Sequence, residues 1–293
     1  MRLSGPILMF LAQIAFTVMV VFVKIAREEL STFEVALWRS VVAVPVLMLM
    51  YRNLPWQISD KKTIFLRVTL GFGALCSFFG AAKGLYIADL SLISKIQPIL
   101  VALLAPILIG SSEKASPKLW GLMGLAMVGC AILLAPSLEV GSIYGLLAVM
   151  AAIFSAHAHV FIRRLRKEHP GIIVLWFQGG SGILAMLACL LTLGTIPLPP
   201  NHLWLPLVGV GLMATLGQLL MTLAYKRTKA ATVAIASYAG PLVAVGADVV
   251  AFNVFPTWNV YVGGSIVVLA GVLLLRQTQS DTDEDTDMNS DSK

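Results

Sequence analysis

The chain has 293 residues, of which 58% are hydrophobic and 12% charged, with a net charge of +6 and a mean hydropathy of +0.87. A water-soluble domain carries about 45–50% apolar and about 25% charged residues, so a soluble globular chain is excluded. Apolar stretches of the roughly 20 residues that a bilayer core requires follow one another almost end to end. The basic excess then bears on membrane orientation rather than on nucleic acid.

Taken in chain order with windows of about 19 residues, the sequence predicts ten spans. They lie near 5–24, 33–51, 66–87, 90–110, 117–136, 141–162, 171–193, 203–224, 231–252 and 257–275. Ile7–Val23 is too long for the core of a signal peptide and no small-residue cleavage site follows it, so it reads as the first span. Short loops carry turn formers, among them Asn53-Leu54-Pro55, Ser116-Pro117 and Phe255-Pro256-Thr257. Alternate loops collect the basic residues: Arg2; Arg52, Lys61, Lys62 and Arg67; Lys114 and Lys118; Arg163, Arg164, Arg166 and Lys167; Lys226, Arg227 and Lys229; Arg276. The other loops hold only Lys24 and Arg27, beside Glu28 and Glu29. The positive-inside rule therefore places both termini in the cytoplasm of an inner or plasma membrane. Residues 277–293, "QTQSDTDEDTDMNSDSK", have no apolar side chain beyond Met288 and are expected to form a disordered acidic tail.

The chain also repeats itself. Ser94–Leu108 aligns without gaps on Ser237–Ala251, pairing Ser94 with Ser237, Lys95 with Tyr238 and Pro98 with Pro241; at the same offset Gly121 pairs with Gly264. Residues 1–138 and 139–276 then hold five spans each, and an odd number turns the second copy over in the membrane. The expected fold is an all-α integral membrane protein, ten transmembrane helices arranged as two inverted five-helix repeats, the plan of many secondary transporters. Pro98 and Pro241 predict two kinked helices that free the carbonyls of Ser94 and Ser237 beside a cavity.

Several stretches carry a family likeness: "STFEVALWRSVVAVPVL", "LSLISKIQPILVALLAPILIG" followed by "SSEKASPKLWGLMGLAMVGCAILL", and "GQLLMTLAYKRTKAATVAIASYAGPLVAV". Over residues 5–275 the chain resembles the EamA-domain members of the drug/metabolite transporter superfamily. The resemblance implies a metabolite transporter, with S-adenosylmethionine-like or riboflavin-like solutes among the substrates. In that family the fourth helix usually ends in Gly-Glu; here two serines stand before Glu113, in "IGSSEKAS".

Ionisable groups within spans are functional candidates, because each costs about 2.5–3.5 kcal/mol at mid-helix. Arg39, Lys83 and Lys95 are the buried cations; Glu34, Asp89 and Asp248 are the acids on the same half. A Glu34/Arg39/Asp248/Lys95 network, or Lys83 snorkelling to the surface, would be structural. Lys95, too deep to snorkel and beside the kink, with Tyr238 facing it, points to an anionic or zwitterionic solute such as an amino acid. Gln13, Gln97, Gln178 and Gln218 can bind a ligand or a neighbouring helix, and Trp38 and Trp176 can stack on a solute or pack. Glu34, Asp248 and His157, with His159, are the candidates for proton coupling, and Na⁺ is the other candidate ion. Cys76, Cys130 and Cys189 lack disulfide or metal spacing. No catalytic, metal or cofactor motif is present. The expectation is a secondary active transporter, monomer or homodimer; an integral-membrane enzyme and a channel are the rivals.

Overall fold

In the computed structural model, which describes residues 3–81, 85, 87–134, 142–252 and 257–290, the spans are helical and no strand occurs among the described residues. The helices are α1 (Gly5–Ala26), α2 (Thr32–Met50), α3 (Lys61–Ala81), α4 (Ile87–Ser94), α5 (Gln97–Leu108), α6 (Pro117–Leu134), α7 (Ile143–Arg164), α8 (Pro170–Leu193), α9 (Trp204–Arg227), α10 (Ala230–Ala236), α11 (Ala239–Phe252) and α12 (Trp258–Ser290). Among the described residues, 7 are long and apolar enough to cross a membrane; shorter apolar helices cover Leu92–Leu108 and Ala230–Gly246.

Helix ends follow local chemistry. Ser31 and Glu34 form a reciprocal capping box at the start of α2. Asp60 accepts from the backbone N–H and the hydroxyl of Thr63, at 2.9 and 2.5 Å. That cap starts α3 at Lys61 rather than near 66, so Arg67 is no loop charge: it sits two turns inside the helix and is only 2% exposed. Gly194 closes α8 in the left-handed conformation (φ 70°), its N–H bonded to the Leu190 carbonyl.

The expected spans 90–110 and 231–252 are each two helices. α4 stops at Ser94 and α5 starts at Gln97; α10 stops at Ala236 and α11 starts at Ala239. Pro98 and Pro241 therefore stand in first turns, where a missing N–H leaves no helical acceptor wanting. The expected kinks take the form of two-residue 3-10 turns, in which Lys95 N, Ile96 N, Ser237 N and Tyr238 N each bond the carbonyl three residues back. α12 continues as helical backbone to Ser290, beyond the last expected span. Extending an existing helix avoids the unfavourable nucleation step.

The largest packed pairs are α1 on α9, α3 on α7, α6 on α12 and α2 on α8. If each span is exchanged for the one five later, α1 on α9 becomes α7 on α3, and the other two pairs map onto themselves. Without a hydrophobic drive between helices in lipid, such pairs hold by close van der Waals approach. At α6–α12 a Cβ on Gly263 would fall 2.5 Å from the Gly129 carbonyl oxygen, so only glycine allows that spacing. A buried cluster of α1, α5, α7, α9 and α10 side chains, including Leu8, Val101, Val160, Met221 and Val233, joins residues from both halves.

Candidate functional site

The two helix breaks face each other and are tied reciprocally. Lys95 Nζ donates to the Ser237 carbonyl at 3.2 Å, and the Tyr238 hydroxyl donates to the Lys95 carbonyl at 2.9 Å. Ser237 O also accepts from the Gly240 N–H at 3.0 Å, so Lys95 is its second donor. The Ser94 and Ser237 hydroxyls turn back in matching fashion onto Leu90 O and Ala234 O. Gly240 permits the crossing: a Cβ there would stand 2.6 Å from Gln13 Oε1 and 3.3 Å from Lys95 Nζ. Lys95 thus engages backbone, and Cys130 Sγ lies 3.7 Å from the Tyr238 carbonyl it faces.

A second constellation lies among α2, α3, α8 and α9. The Arg67 guanidinium stacks on Phe177 with its Cζ 3.8 Å from the ring centroid, and Arg39 approaches the same ring at 5.8 Å. Arg67 Nη2 donates to Gln218 Oε1 at 3.1 Å, but Arg67 Nε, Arg39 Nε and Arg39 Nη2 have no hydrogen-bond partner among the described residues. Neither arginine pairs with an acid among the described residues. Gln178, which follows Phe177 in sequence, is 0% exposed with both amide atoms unpartnered among the described residues, as are the buried Ser181 and Thr222 hydroxyls. Buried polar groups are nearly always hydrogen-bonded, so this concentration marks an interior built for something more than packing. A small cavity of about 40 Å³ lies beside Arg39, between Met19, Val35, Leu75 and Val210.

A polar seam joins the two constellations. Gln97 Nε2 lies 2.7 Å from His159 Nδ1, and the Tyr225 hydroxyl 3.4 Å from the same nitrogen.

Other expected site residues fall elsewhere. Trp38 is buried edge-on against Trp204, with ring centroids 5.1 Å apart. Trp176 is 47% exposed and donates to the Trp56 carbonyl, so it faces away from the interior that Phe177 lines. Glu34 is held in the α2 capping box, and His157 folds back on the Ile153 carbonyl of its own helix. Lys83 and the side chains of Asp89 and Asp248 lie outside the described residues.

Sequence reasoning missed Arg67, Phe177 and Glu113. The Asp60-Lys61-Lys62-Thr63 cap signal could have moved Arg67 inside α3; a phenylalanine in an apolar run carries no such signal. Glu113, 1% exposed in a single 3-10 turn (Ser111–Glu113), accepts from Arg163 Nε at 2.8 Å, Arg166 Nη1 at 3.4 Å and Ala230 N at 2.9 Å. Arg163 also donates to Tyr225 O and Lys226 O, two of the carbonyls left open at the end of α9. One carboxylate therefore locks α5, α7, α9 and α10 together at the end of the bundle that carries the basic loops.

A helical bundle of apolar spans with broken helices around a buried polar interior defines a multi-pass membrane transporter. The EamA-like transporter family model matches residues 3–135 and again 142–276, and the chain belongs to that family. It is 30% identical over 250 residues to an uncharacterized transporter of Helicobacter pylori, covering 80% of this chain and 82% of the relative. It is 27% identical over 286 residues to the pseudopaline exporter CntI of Pseudomonas aeruginosa, covering 93% and 96%. A solved crystal structure superposes with a TM-score of 0.80 at 18% identity, over 94% of this chain and 98% of that one, which shows the fold alone. The family and its named relatives are transporters, which sets aside the membrane-enzyme reading.

Proposed function

We propose that the chain is a secondary active transporter that exports a small carboxylate-bearing organic metabolite across the plasma membrane by alternating access. The two family matches and the exchange symmetry of the helix packing support two inverted five-span halves. The concentration of Lys and Arg in one set of loops supports placing that end, and both termini, in the cytoplasm. Export rather than import follows the printed role of the Pseudomonas aeruginosa relative.

One observation carries the substrate class: Arg39 and Arg67 are buried side by side with unused N–H groups and no acid beside them among the described residues. An uncompensated buried charge is strongly unfavourable, and intramembrane cations mark solute pathways. A carboxylate matches the guanidinium fork in charge and shape. Gln178 and Gln218 complete the polar lining, while Lys95 and Tyr238 serve as the clasp between the broken helices. Asp248 is the acid assigned to a coupling ion, proton or sodium.

Counterflow in proteoliposomes tests this reading. Vesicles preloaded with unlabelled amino acids or small carboxylic acids are expected to accumulate the labelled solute saturably, and Arg67→Gln to abolish it. Non-saturating conductance would make the protein a channel. Counterflow of neutral or cationic solutes alone would overturn the carboxylate assignment.

A further inference from the structure

Within this carboxylate reading, on which it rests, we propose that Arg39 and Arg67 together form a receptor for an organic dianion bearing two carboxylates, with Phe177 as its apolar floor and Gln178 as its neutral polar contact.

The charge count comes first. Both guanidiniums stay protonated in a protein, both are buried, and both approach the Phe177 ring. A monocarboxylate would neutralise one cation and leave the other uncompensated; two carboxylates close the balance. Donor geometry agrees. Arg39 has Nε and Nη2 unused, the side-on edge of the fork that takes a carboxylate in two parallel bonds. Arg67 has Nη2 committed to Gln218 and Nε unused, so it offers a second, separate anchor rather than a share in the first. The anchors come from different helices, α2 and α3, and meet over one ring. A short hydrocarbon chain lying on Phe177 would reach from one to the other.

Gln178 follows Phe177 in sequence on α8, and its amide is fully buried with donor and acceptor both unused among the described residues, so it is the neutral polar group assigned to the solute. Gly71 keeps the receptor open: a Cβ there would stand 2.7 Å from Phe177 Cε2 and collide with Arg67 Nη1. The cavity beside Arg39, about 40 Å³, is far below the roughly 300 Å³ of an ordinary ligand pocket. Binding therefore requires the helices around it to part, as alternating access provides.

The test uses the detergent-purified full chain, titrated calorimetrically and by thermal unfolding with succinate, glutarate, succinamate, propionate and glycerol 3-phosphate. Succinamate keeps the length of succinate with one charge removed. The expected result is that succinate or glutarate binds and stabilises, and that succinamate and propionate bind about 10- to 100-fold more weakly, the size of a charge-assisted hydrogen bond. In Arg39→Gln, succinate and succinamate should bind alike. The same variant without ligand should melt higher than the wild type, because one of two repelling buried charges is gone; a purely structural arginine would melt lower. Equal binding of succinate and succinamate to the wild type overturns the proposal, as does failure of every dianion to bind. A preference for glycerol 3-phosphate over both dicarboxylates replaces the two carboxylates by one phosphate monoester and overturns it in this form. If a monocarboxylate binds as tightly and is carried in counterflow, the dianion receptor falls while carboxylate transport stands. If succinate binds through Arg39 without any counterflow, the receptor stands and the transport reading falls.

Discussion

Arg67 decides the character of the interior. Its charge is held by an aromatic face, one glutamine and no acid among the described residues. Cation–π contact with a desolvated ring contributes about 2 kcal/mol, less than the several kcal/mol that remain after a charge leaves water. Stacking thus orients the guanidinium without satisfying it. Gly71 is the residue that makes room for this stack, and its replacement is a clean probe. Gly71→Ala should keep the fold, because the α3 backbone gains helix propensity of about 1 kcal/mol, yet it should push Arg67 off Phe177. The expected outcome is an unchanged or raised melting temperature together with a tenfold or greater loss of carboxylate binding. Retained affinity would mean that Arg67 adapts freely and that its stacked position is incidental.

At the scale of the element, the broken helices are the distinctive feature, and the two hydrogen bonds between the breaks make one unit of them. Tyr238→Phe removes a bond of about 1 kcal/mol, and Lys95→Met removes a charged donor of about 1.5–3 kcal/mol. Because both bonds tie the same two breaks, the double variant should cost less than the sum of the singles. The coupling expected from unfolding in detergent is about 0.5–3 kcal/mol; additivity within about 0.3–0.5 kcal/mol would mean that the breaks are held independently. The long apolar helices were legible in the sequence, since apolar windows of that length have few alternatives. That the kinks tighten into 3-10 turns tied to each other was not legible. A proline removes one N–H locally, but the donors that tie the two turns together, Lys95 and Tyr238, act on carbonyls 142 and 143 residues away. Arg67 was misread for a different reason: a loop charge and a charge two turns into a helix differ only by where the cap falls, and Asp60 sets that. Lys95 looked like the anion site because depth and proximity to a proline were its visible properties, whereas its actual partner is a main-chain oxygen.

At the scale of the molecule, the two ends are unequal. The basic end is locked by Glu113, which binds Arg163, Arg166 and the start of α10. Toward the other end, Arg39 borders the small cavity between Val35, Leu75 and Val210. The repeat offset that pairs Pro98 with Pro241 puts Val20 opposite Arg163, so the lock has no cationic counterpart at the second end. In the proposed alternating access the lock opens in the other state. Removing one partner of a buried ion pair costs about 3–5 kcal/mol, and Glu113→Gln should therefore shift the population toward a form open at the basic end. The most direct measurement places a cysteine at Ala36, which lines the cavity beside Arg39, in a background where Cys76, Cys130 and Cys189 are replaced. An impermeant thiol reagent is then applied to oriented vesicles from each side. Labelling is expected chiefly from the side opposite the basic loops in the otherwise wild-type chain, and chiefly from the basic side once Glu113→Gln is added. Labelling from one side regardless of Glu113, or from both sides equally in each background, would contradict alternating access around the arginine pair.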